Sequence, residues 1–452
     1  MSIRSFILAL VLLPVHAGAG TVVFRNVAVV PMDREVVLQE RSVLIDDGRI
    51  VALGAASEVT VPDGATIIEA AGKYLLPGLG EMHAHVPAYD SPELEPVLDL
   101  FLANGVTTLR GVLGEPGQLR LREELAAGRR AGPRLHTAGP SLNGNSVRDP
   151  AHGAALVDEY HRAGYDLLKI HPGLDRPRFD AILAAARERD MMVVGHVPAA
   201  VGLQHALAQG MSGIEHLDDY VRALVPDGHP ARSADPGFFG LPQARAADPA
   251  RIPELVAWSR AAGVWLSPTE TLLTSMLGAA DAEAMLRRAE YAYVDAGEKA
   301  RWLRSRAELR ASPDFQPGTA RRYLELRREL LKALHDGGVG ILLGSDAPQW
   351  FNVPGFSAHR ELALMVAAGL SPYEALRTGT VNVATHLGTA GRRGTIAPGM
   401  DADLVLLEAN PLTDVAHASR IAGVMVNGRW HDRADLDARL AKVREAAGHR
   451  PR

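Results

Sequence analysis

The chain has 452 residues, of which 47% are hydrophobic and 22% are charged, a composition typical of a globular protein with a sizeable core. The formal net charge of −5 excludes the basic footprint that most nucleic-acid-binding proteins carry, so we expect a small-molecule substrate and no nucleic acid. The absence of cysteine excludes disulfide bonds and a lipid-modified N-terminal cysteine.

The first 19 residues have the pattern of a secretory signal peptide. Arg4 precedes the apolar residues 6–13, and Ala17-Gly18-Ala19 forms a small-x-small cleavage site. The apolar run is shorter than the roughly 20 residues that a membrane-spanning helix needs. We therefore expect a secreted or periplasmic protein with no membrane association after residues 1–19 are removed. A retained N-terminal anchor is the alternative.

Both ends of the chain beyond the signal peptide have a short-strand pattern. Near the N-terminus, strand-like runs flank the Asp47-Gly48 pair, and near the C-terminus they flank Asn427-Gly428; both pairs are typical hairpin turns. The common pattern predicts one small β-sandwich domain built from residues 20–73 and 390–435. Residues 436–452 are predicted to form a helical tail.

Between these ends, short apolar strands alternate with helices. The eight predicted strands end near residues 85, 110, 138, 171, 196, 216, 268 and 346. This alternation favours the α/β class with parallel strands, and eight repeats predict a (β/α)8 TIM-like barrel over residues 74–389.

Two insertions interrupt the alternation. Residues 217–250 are rich in Pro, Asp, Ala and Gly and are predicted to form a long loop over the active site. Residues 280–336 are highly charged with helical spacing, which predicts two long helices. Because both insertions follow strand ends, we expect both on the catalytic face.

Metal-ligating side chains recur where the predicted strands end. His83 and His85 lie two residues apart on the first strand, so both imidazoles face the same side. The other residues at strand ends are Lys169, His196, His216 and Asp346. One such histidine alone is more often structural, but six matching positions predict a metal site at the carboxyl ends of the strands.

At these residues the sequence resembles the amidohydrolase superfamily of metal-dependent hydrolases, with its imidazolonepropionase- and prolidase-like branch the most similar. The segments that carry the resemblance are residues 77–85, Gly195-His196, Glu215-His216, residues 344–348 and residues 394–405. These motifs are specific for the superfamily and say little about the substrate.

The resemblance implies a ligand set for two metal ions. His83, His85 and Asp346 would bind the first ion, and His196 and His216 the second. Lys169 would bridge both as a carbamate formed with CO2. Zn²⁺ is the expected metal for histidine-rich sites, although imidazole and carboxylate ligands also bind manganese, cobalt and iron.

One departure from the family pattern leaves the role of Lys169 open. Residues 170–173 read Ile-His-Pro-Gly, where several dinuclear relatives carry a Ser-Gly-Gly-like run. An unmodified Lys169 would pair with an acidic neighbour such as Asp166 or Glu215. The alternative site then holds one metal ion, with the ligands His83, His85, His196 and Asp346.

Metal-activated water is the expected nucleophile, and we predict that Asp346 transfers its proton to the leaving group. His216 is the second predicted catalytic residue, which polarises the carbonyl if the site holds one metal ion. Arg110 and Arg148 are candidates for binding a substrate carboxylate. The residues predicted to contact substrate, since they follow strand ends, are Asn143, His171, Tyr220 and Asn352.

The sequence therefore predicts an exported, metal-dependent amidohydrolase that hydrolyses a small amide, dipeptide or cyclic amide bond. A lactonase or a deaminase on the same site is the near alternative. A catalytically silent barrel is a more distant one, because a fold alone does not determine function. The sequence determines neither the substrate nor the oligomeric state, and a homo-oligomer is one possibility.

Overall fold

The computed structural model describes residues 20–449, so the predicted signal peptide lies outside the described residues. Within that range, no helix combines the length and the apolar composition needed to cross a membrane. The strands are β1 (Val22–Val29), β2 (Leu38–Asp46), β3 (Arg49–Ala55), β4 (Thr66–Glu69), β5 (Tyr74–Pro77), β6 (Leu79–Ala84), β7 (Val106–Gly111), β8 (Arg134–Thr137), β9 (Leu167–Ile170), β10 (Met192–Gly195), β11 (Gly213–Glu215), β12 (Trp265–Ser267), β13 (Gly340–Ile341), β14 (Leu404–Leu407), β15 (Ile421–Val426) and β16 (Arg429–Asp432).

The α-helices occupy the connections between these strands and the C-terminal tail. They are α1 (Leu94–Ala103), α2 (Gly117–Ala126), α3 (Pro150–Ala163), α4 (Arg176–Arg187), α5 (Leu203–Ala208), α6 (Tyr220–Ala223), α7 (Pro230–Ser233), α8 (Ile252–Ala262), α9 (Glu270–Leu277), α10 (Ala282–Met285), α11 (Ala296–Ala311), α12 (Pro317–Asp336), α13 (Phe356–Ala367), α14 (Pro372–Thr378), α15 (Val381–His386) and α16 (Arg433–His449).

One mixed sheet draws its strands from both ends of the described chain. Its order is β16-β15-β14-β5-β1-β2-β3, with β4 paired to β1. Strand β5 is parallel to β1 and antiparallel to β14, so it joins the N-terminal and C-terminal parts. The sheet therefore includes Tyr74–Pro77, which the sequence analysis assigned to the barrel. Its predicted arrangement as a sandwich stays a prediction.

All eight strands predicted for the middle of the chain are present, and they lie in parallel sheets. One sheet has the order β6-β7-β8 and the other β13-β12-β11-β10-β9. Parallel bridges between Ala138 and Leu167, and between Ala84 and Ala347, link residues of the two sheets. The α/β class is confirmed. The closed barrel stays a prediction.

Strands β6 and β9 are buried along their whole length, as expected for parallel strands covered on both faces. This burial includes residues that are polar, so Glu81, His83 and Lys169 lie inside the protein. Buried polar groups need hydrogen-bond partners or ligands. His83 and Lys169 lie near the carboxyl ends of these strands, where the sequence predicts the site.

The second insertion forms two long helices, as predicted. Helix α11 has 16 residues and α12 has 20. In α12, Leu326, Leu330 and Leu334 are buried at a spacing of four residues, so they form one apolar stripe against the core. Tyr323 and Arg327 are also buried, and both point polar groups toward the region of the predicted site.

Candidate metal centre

Three predicted ligands converge at the ends of β6 and of the segment after β13. One ligand atom from each of His83, His85 and Asp346 lies within 4.8 Å of the others. The Oδ1 atom of Asp346 is 2.8 Å from His85 Nε2 and 3.3 Å from His83 Nε2. The backbone fixes this approach, because the Asp346 N–H donates to the His83 carbonyl at 3.0 Å.

His196 and His216 extend the same cluster. The ring centroid of His216 is 4.5 Å from that of His83 and 4.8 Å from that of His196. The Nδ1 atom of His216 lies 2.8 Å from Thr269 Oγ1 and 3.8 Å from Asp346 Oδ2. The structure thus brings the four predicted histidines and Asp346 together.

Lys169 is buried and its ammonium has no hydrogen-bond partner among the described residues. Burial lowers its pKa to about 8, although Glu215 and Asp346 act in the opposite direction. Asp166 is bound by Arg122, and Glu215 by His83 and Arg110. The ion pair considered for an unmodified lysine is therefore absent from the described chain.

Glu215 orients the His83 ring through the nitrogen that faces away from Asp346. Its Oε2 atom lies 2.7 Å from His83 Nδ1, which places the proton on Nδ1 and leaves Nε2 as the ligand atom. Its Oε1 atom accepts a 2.6 Å hydrogen bond from Arg110. Arg110 is fully buried and also donates to the Met82 carbonyl and to Ser267 Oγ. The suggestion that Arg110 binds a substrate carboxylate was wrong, because these groups occupy its guanidinium.

Glu81 connects the strand of His83 with the strand end that carries Asp346. Its carboxyl group accepts hydrogen bonds from the His83 N–H at 3.0 Å and from the Ser345 N–H and hydroxyl, both at 2.7 Å. Burial raises its pKa to about 7. The sequence analysis did not assign Glu81 or Thr269 to the site, and it considered Glu215 only as a partner of Lys169.

The protonation states suit a cation. Burial lowers the pKa of His83 and His216 well below the usual value, so both imidazoles are neutral at physiological pH. Burial acts to raise the pKa of Asp346, but His83 and His85 outweigh it and keep this pKa below its usual range. Neutral imidazoles and an ionised carboxylate are the forms that bind metal ions.

Two of the predicted substrate contacts are corrected by the structure. Tyr220 is fully buried, and its hydroxyl is 2.6 Å from Ser259 Oγ, because α6 turns this side chain into the core. Asn352 is also buried; its amide donates to the Ser345 carbonyl at 2.6 Å and accepts from Thr271. Both side chains support the structure and do not face a substrate.

The other two residues predicted to contact substrate are His171, which lies beside the histidine cluster, and Asn143, which lies in a loop. The ring centroid of His171 lies 5.2 Å from that of His196, and Ser141 Oγ lies 2.7 Å from its Nδ1 atom. Burial lowers the pKa of His171 to about 2, so its ring is neutral. Asn143 accepts hydrogen bonds from the N–H groups of Asn145 and Ser146, which shapes its own loop. Their contact with substrate stays a prediction.

An aromatic surface from two loops borders the histidines. Phe239 of the first insertion lies 5.1 Å from His216 and 6.0 Å from His196 between ring centroids. Phe238 packs on Phe239 at 4.9 Å, and Trp350 lies 5.7 Å from Phe238. We call Phe238, Phe239 and Trp350 the aromatic wall. The first insertion therefore reaches the site, as predicted.

Residues 74–431 match the sequence model of the Amidohydrolase family. The chain belongs to this family. It is 28% identical over 424 residues to the imidazolonepropionase of Ralstonia nicotianae, covering 86% of this chain and 92% of that protein. It is 37% identical over 259 residues to the enamidase of Eubacterium barkeri, covering 45% of this chain and 64% of that protein.

Solved structures of similar fold include the bottromycin amidohydrolase, with a TM-score of 0.72, 25% identity and coverage of 95% of this chain and 91% of that one. A Xaa-Pro dipeptidase with bound methionine has a TM-score of 0.66, 19% identity and coverage of 91% and 100%. Family membership and these relatives establish this amidohydrolase as an enzyme that hydrolyses carbon–nitrogen bonds.

Proposed function

We propose that this amidohydrolase is an exported, metal-dependent enzyme that hydrolyses a small amide, a dipeptide or a cyclic amide. The observation that carries the proposal is the convergence of His83, His85 and Asp346 within 4.8 Å, beside two further histidines. The proposal of export rests on the pattern of residues 1–19. Mass spectrometry of the exported protein tests it, and we expect a mature chain that starts near residue 20.

The proposed architecture is a closed (β/α)8 barrel with a small β-sandwich. Two kinds of contact support closure: the bridges at Ala138–Leu167 and Ala84–Ala347, and the 2.8 Å hydrogen bond from the Met82 N–H to the Leu343 carbonyl. A closed barrel gathers the ends of all its strands at one face. This would explain why residues so far apart in sequence share a site.

We propose Zn²⁺ as the metal, held by His83, His85 and Asp346 with His196 and His216 available for a second ion. A bound ion would provide a water-derived nucleophile near neutral pH and polarise the substrate carbonyl. In the chain itself, the ionised Asp346 carboxylate accepts the proton of the attacking water and returns it to the leaving nitrogen. Glu215 and Thr269 hold His83 and His216 in fixed orientations.

We further propose that Lys169 carries a carbamate. Its buried Nζ atom has no partner among the described residues and lies in the region of Glu215 and Asp346. The neutral amine adds CO2 by forming a nitrogen–carbon bond and releasing one proton. The product is an anionic bidentate group, which would satisfy both the buried nitrogen and two cations.

The test is the metal content per subunit of protein purified with bicarbonate, compared with that of Lys169→Ala. We expect close to two ions in the natural protein and one or none in the variant. Lys332→Ala, which removes a surface ion pair with Asp336, is the matched control and should keep the full content.

One ion in both proteins would exclude the carbamate bridge and leave a site with one metal ion. No ion in either protein would contradict the metal-dependent hydrolase. Assays of dipeptides, N-acyl amino acids and lactones on the same preparation separate amide hydrolysis from the lactonase alternative.

A further inference from the structure

The aromatic wall presents accessible ring surface beside the ligand cluster. Phe238, Phe239 and Trp350 are each partly exposed, although each ring also contacts another ring of the site. The contacts run in sequence from His216 to Phe239, then to Phe238 and then to Trp350. A molecule whose amide bond lies at the cluster would therefore have these rings next to its substituent.

The backbone holds part of this wall in an unfavourable conformation. Phe239 has φ +52° and Trp350 has φ +41°, in the left-handed region that is unfavourable for residues other than glycine. Such strain concentrates at functional sites. The Tyr323 hydroxyl donates a 2.7 Å hydrogen bond to the Phe239 carbonyl, so α12 keeps Phe239 in place.

The arginines near the site are already bound to other groups. Arg110 pairs with Glu215 and Arg327 with Glu270, each at 2.6 Å. Arg360 pairs with Glu290 at 2.5 Å and donates a hydrogen bond to the Phe351 carbonyl. These guanidinium groups are not free to bind a substrate carboxylate at the wall. A charged substituent placed against these apolar rings would lose part of its hydration without gaining an ionic partner.

We propose that the aromatic wall is a substrate subsite for an uncharged apolar group next to the scissile amide. The substrate class is then amides or dipeptides with an aromatic or large aliphatic side chain. Edge-to-face contact with the rings would favour an aromatic group over an aliphatic one. The inference rests on the proposed function, because it requires amide hydrolysis at the His83–His85–Asp346 cluster.

The test uses metal-loaded, full-length protein and two series of dipeptides. Each series has glycine on one side of the bond and phenylalanine, leucine, aspartate or lysine on the other. In one series, kcat/KM for phenylalanine and leucine should exceed that for the charged residues by roughly tenfold or more. Phe238→Ala should reduce this preference about tenfold, and Phe238→Leu should retain most of it.

Phe356→Ala is the matched control, because Phe356 is another partly buried ring that stacks on Tyr293, outside the wall. It should leave the preference unchanged. A preference for charged dipeptides, or one that Phe238→Ala leaves intact, would overturn the subsite.

If no dipeptide is hydrolysed, the proposed dipeptide hydrolysis fails while the subsite remains testable by calorimetric titration with benzamide. Binding of benzamide that is lost in Phe238→Ala and kept in Phe356→Ala would support the wall. Absence of binding to the natural protein would overturn it.

Discussion

At the scale of single residues, three of the candidate histidine ligands lie against a polar side chain that orients the ring. His83 is oriented by Glu215, His216 by Thr269, and His196 Nδ1 lies 3.1 Å from Asp218 Oδ2. A carboxylate behind a histidine fixes the tautomer and makes the other nitrogen a better ligand. We therefore expect these partners to influence metal affinity without being ligands themselves.

Asp218→Asn should weaken metal binding by about 10- to 100-fold, because the amide no longer stabilises the ligating form of His196. The measurement is a competition titration with a chromophoric chelator. Asp180→Asn is the control, since Asp180 lies 2.7 Å from His205 in a similar pair outside the cluster. Equal affinities in the two variants would contradict a role for Asp218 at the site.

The sequence predicts the six ligands because each follows a short apolar run, which places it at a strand end. It does not predict which neighbouring side chains turn inward, and so Tyr220 and Asn352 were assigned wrongly. A signal for Glu81 and Glu215 was present. Glu81 lies within an apolar strand and Glu215 ends one, and a charged residue in such a position is rarely buried without a partner.

At the scale of elements, α12 links the inserted helices to the site. Arg327 donates to the His216 carbonyl at 2.5 Å, to the Pro268 carbonyl at 2.7 Å, and to Glu270. It thereby fixes the ends of β11 and β12, where His216 and Thr269 have φ values of +62° and +51°. The helical spacing predicted α12, but not that one arginine would reach two strand ends.

Arg327→Met should lower the free energy of unfolding by about 3–5 kcal/mol, because it leaves the buried Glu270 without its partner. It should also lower the metal content of the purified protein. Denaturant titration and metal analysis provide the two measurements. Arg328→Met changes the exposed neighbour and should alter neither value. A normal metal content in folded Arg327→Met would show that Arg327 does not position His216.

At the scale of the whole molecule, the alternation of strands and helices was enough to predict the α/β class. Each of the eight strands is marked in the sequence by its own short apolar run. The place of β5 was not predictable in the same way, because its partners β1 and β14 come from distant parts of the sequence. Pairing between distant strands depends on the complete fold and leaves little local signal.

The stability of the whole protein should depend on pH through buried Glu361. Burial and the nearby Glu270 raise its pKa from 4.5 to about 8, so the folded state keeps a proton that the unfolded state releases. The contribution of protonated Glu361 to the free energy of unfolding is complete below pH 4.5 and is lost as the pH rises toward 8.

The free energy of unfolding of the natural protein should therefore fall more steeply between pH 5 and 8 than that of Glu361→Gln, by up to about 1.4 kcal/mol per pH unit. Denaturant titrations of metal-loaded proteins across this range measure the difference. Glu325→Gln, at an exposed position, should follow the natural protein. Parallel curves for Glu361→Gln and the natural protein would refute the assignment.

The position of β5 determines the order in which the molecule can be completed. Leu75 faces Leu406 across the sheet, and β6, which carries His83, begins two residues after β5 ends. Strand β5 pairs with β1 on one side and with β14, from near the C-terminus, on the other, so its second neighbour is available only in the nearly complete chain. Contacts between such distant segments form slowly. We therefore expect His83 and His85 to reach their final positions late in folding, after strands from both ends of the chain have paired.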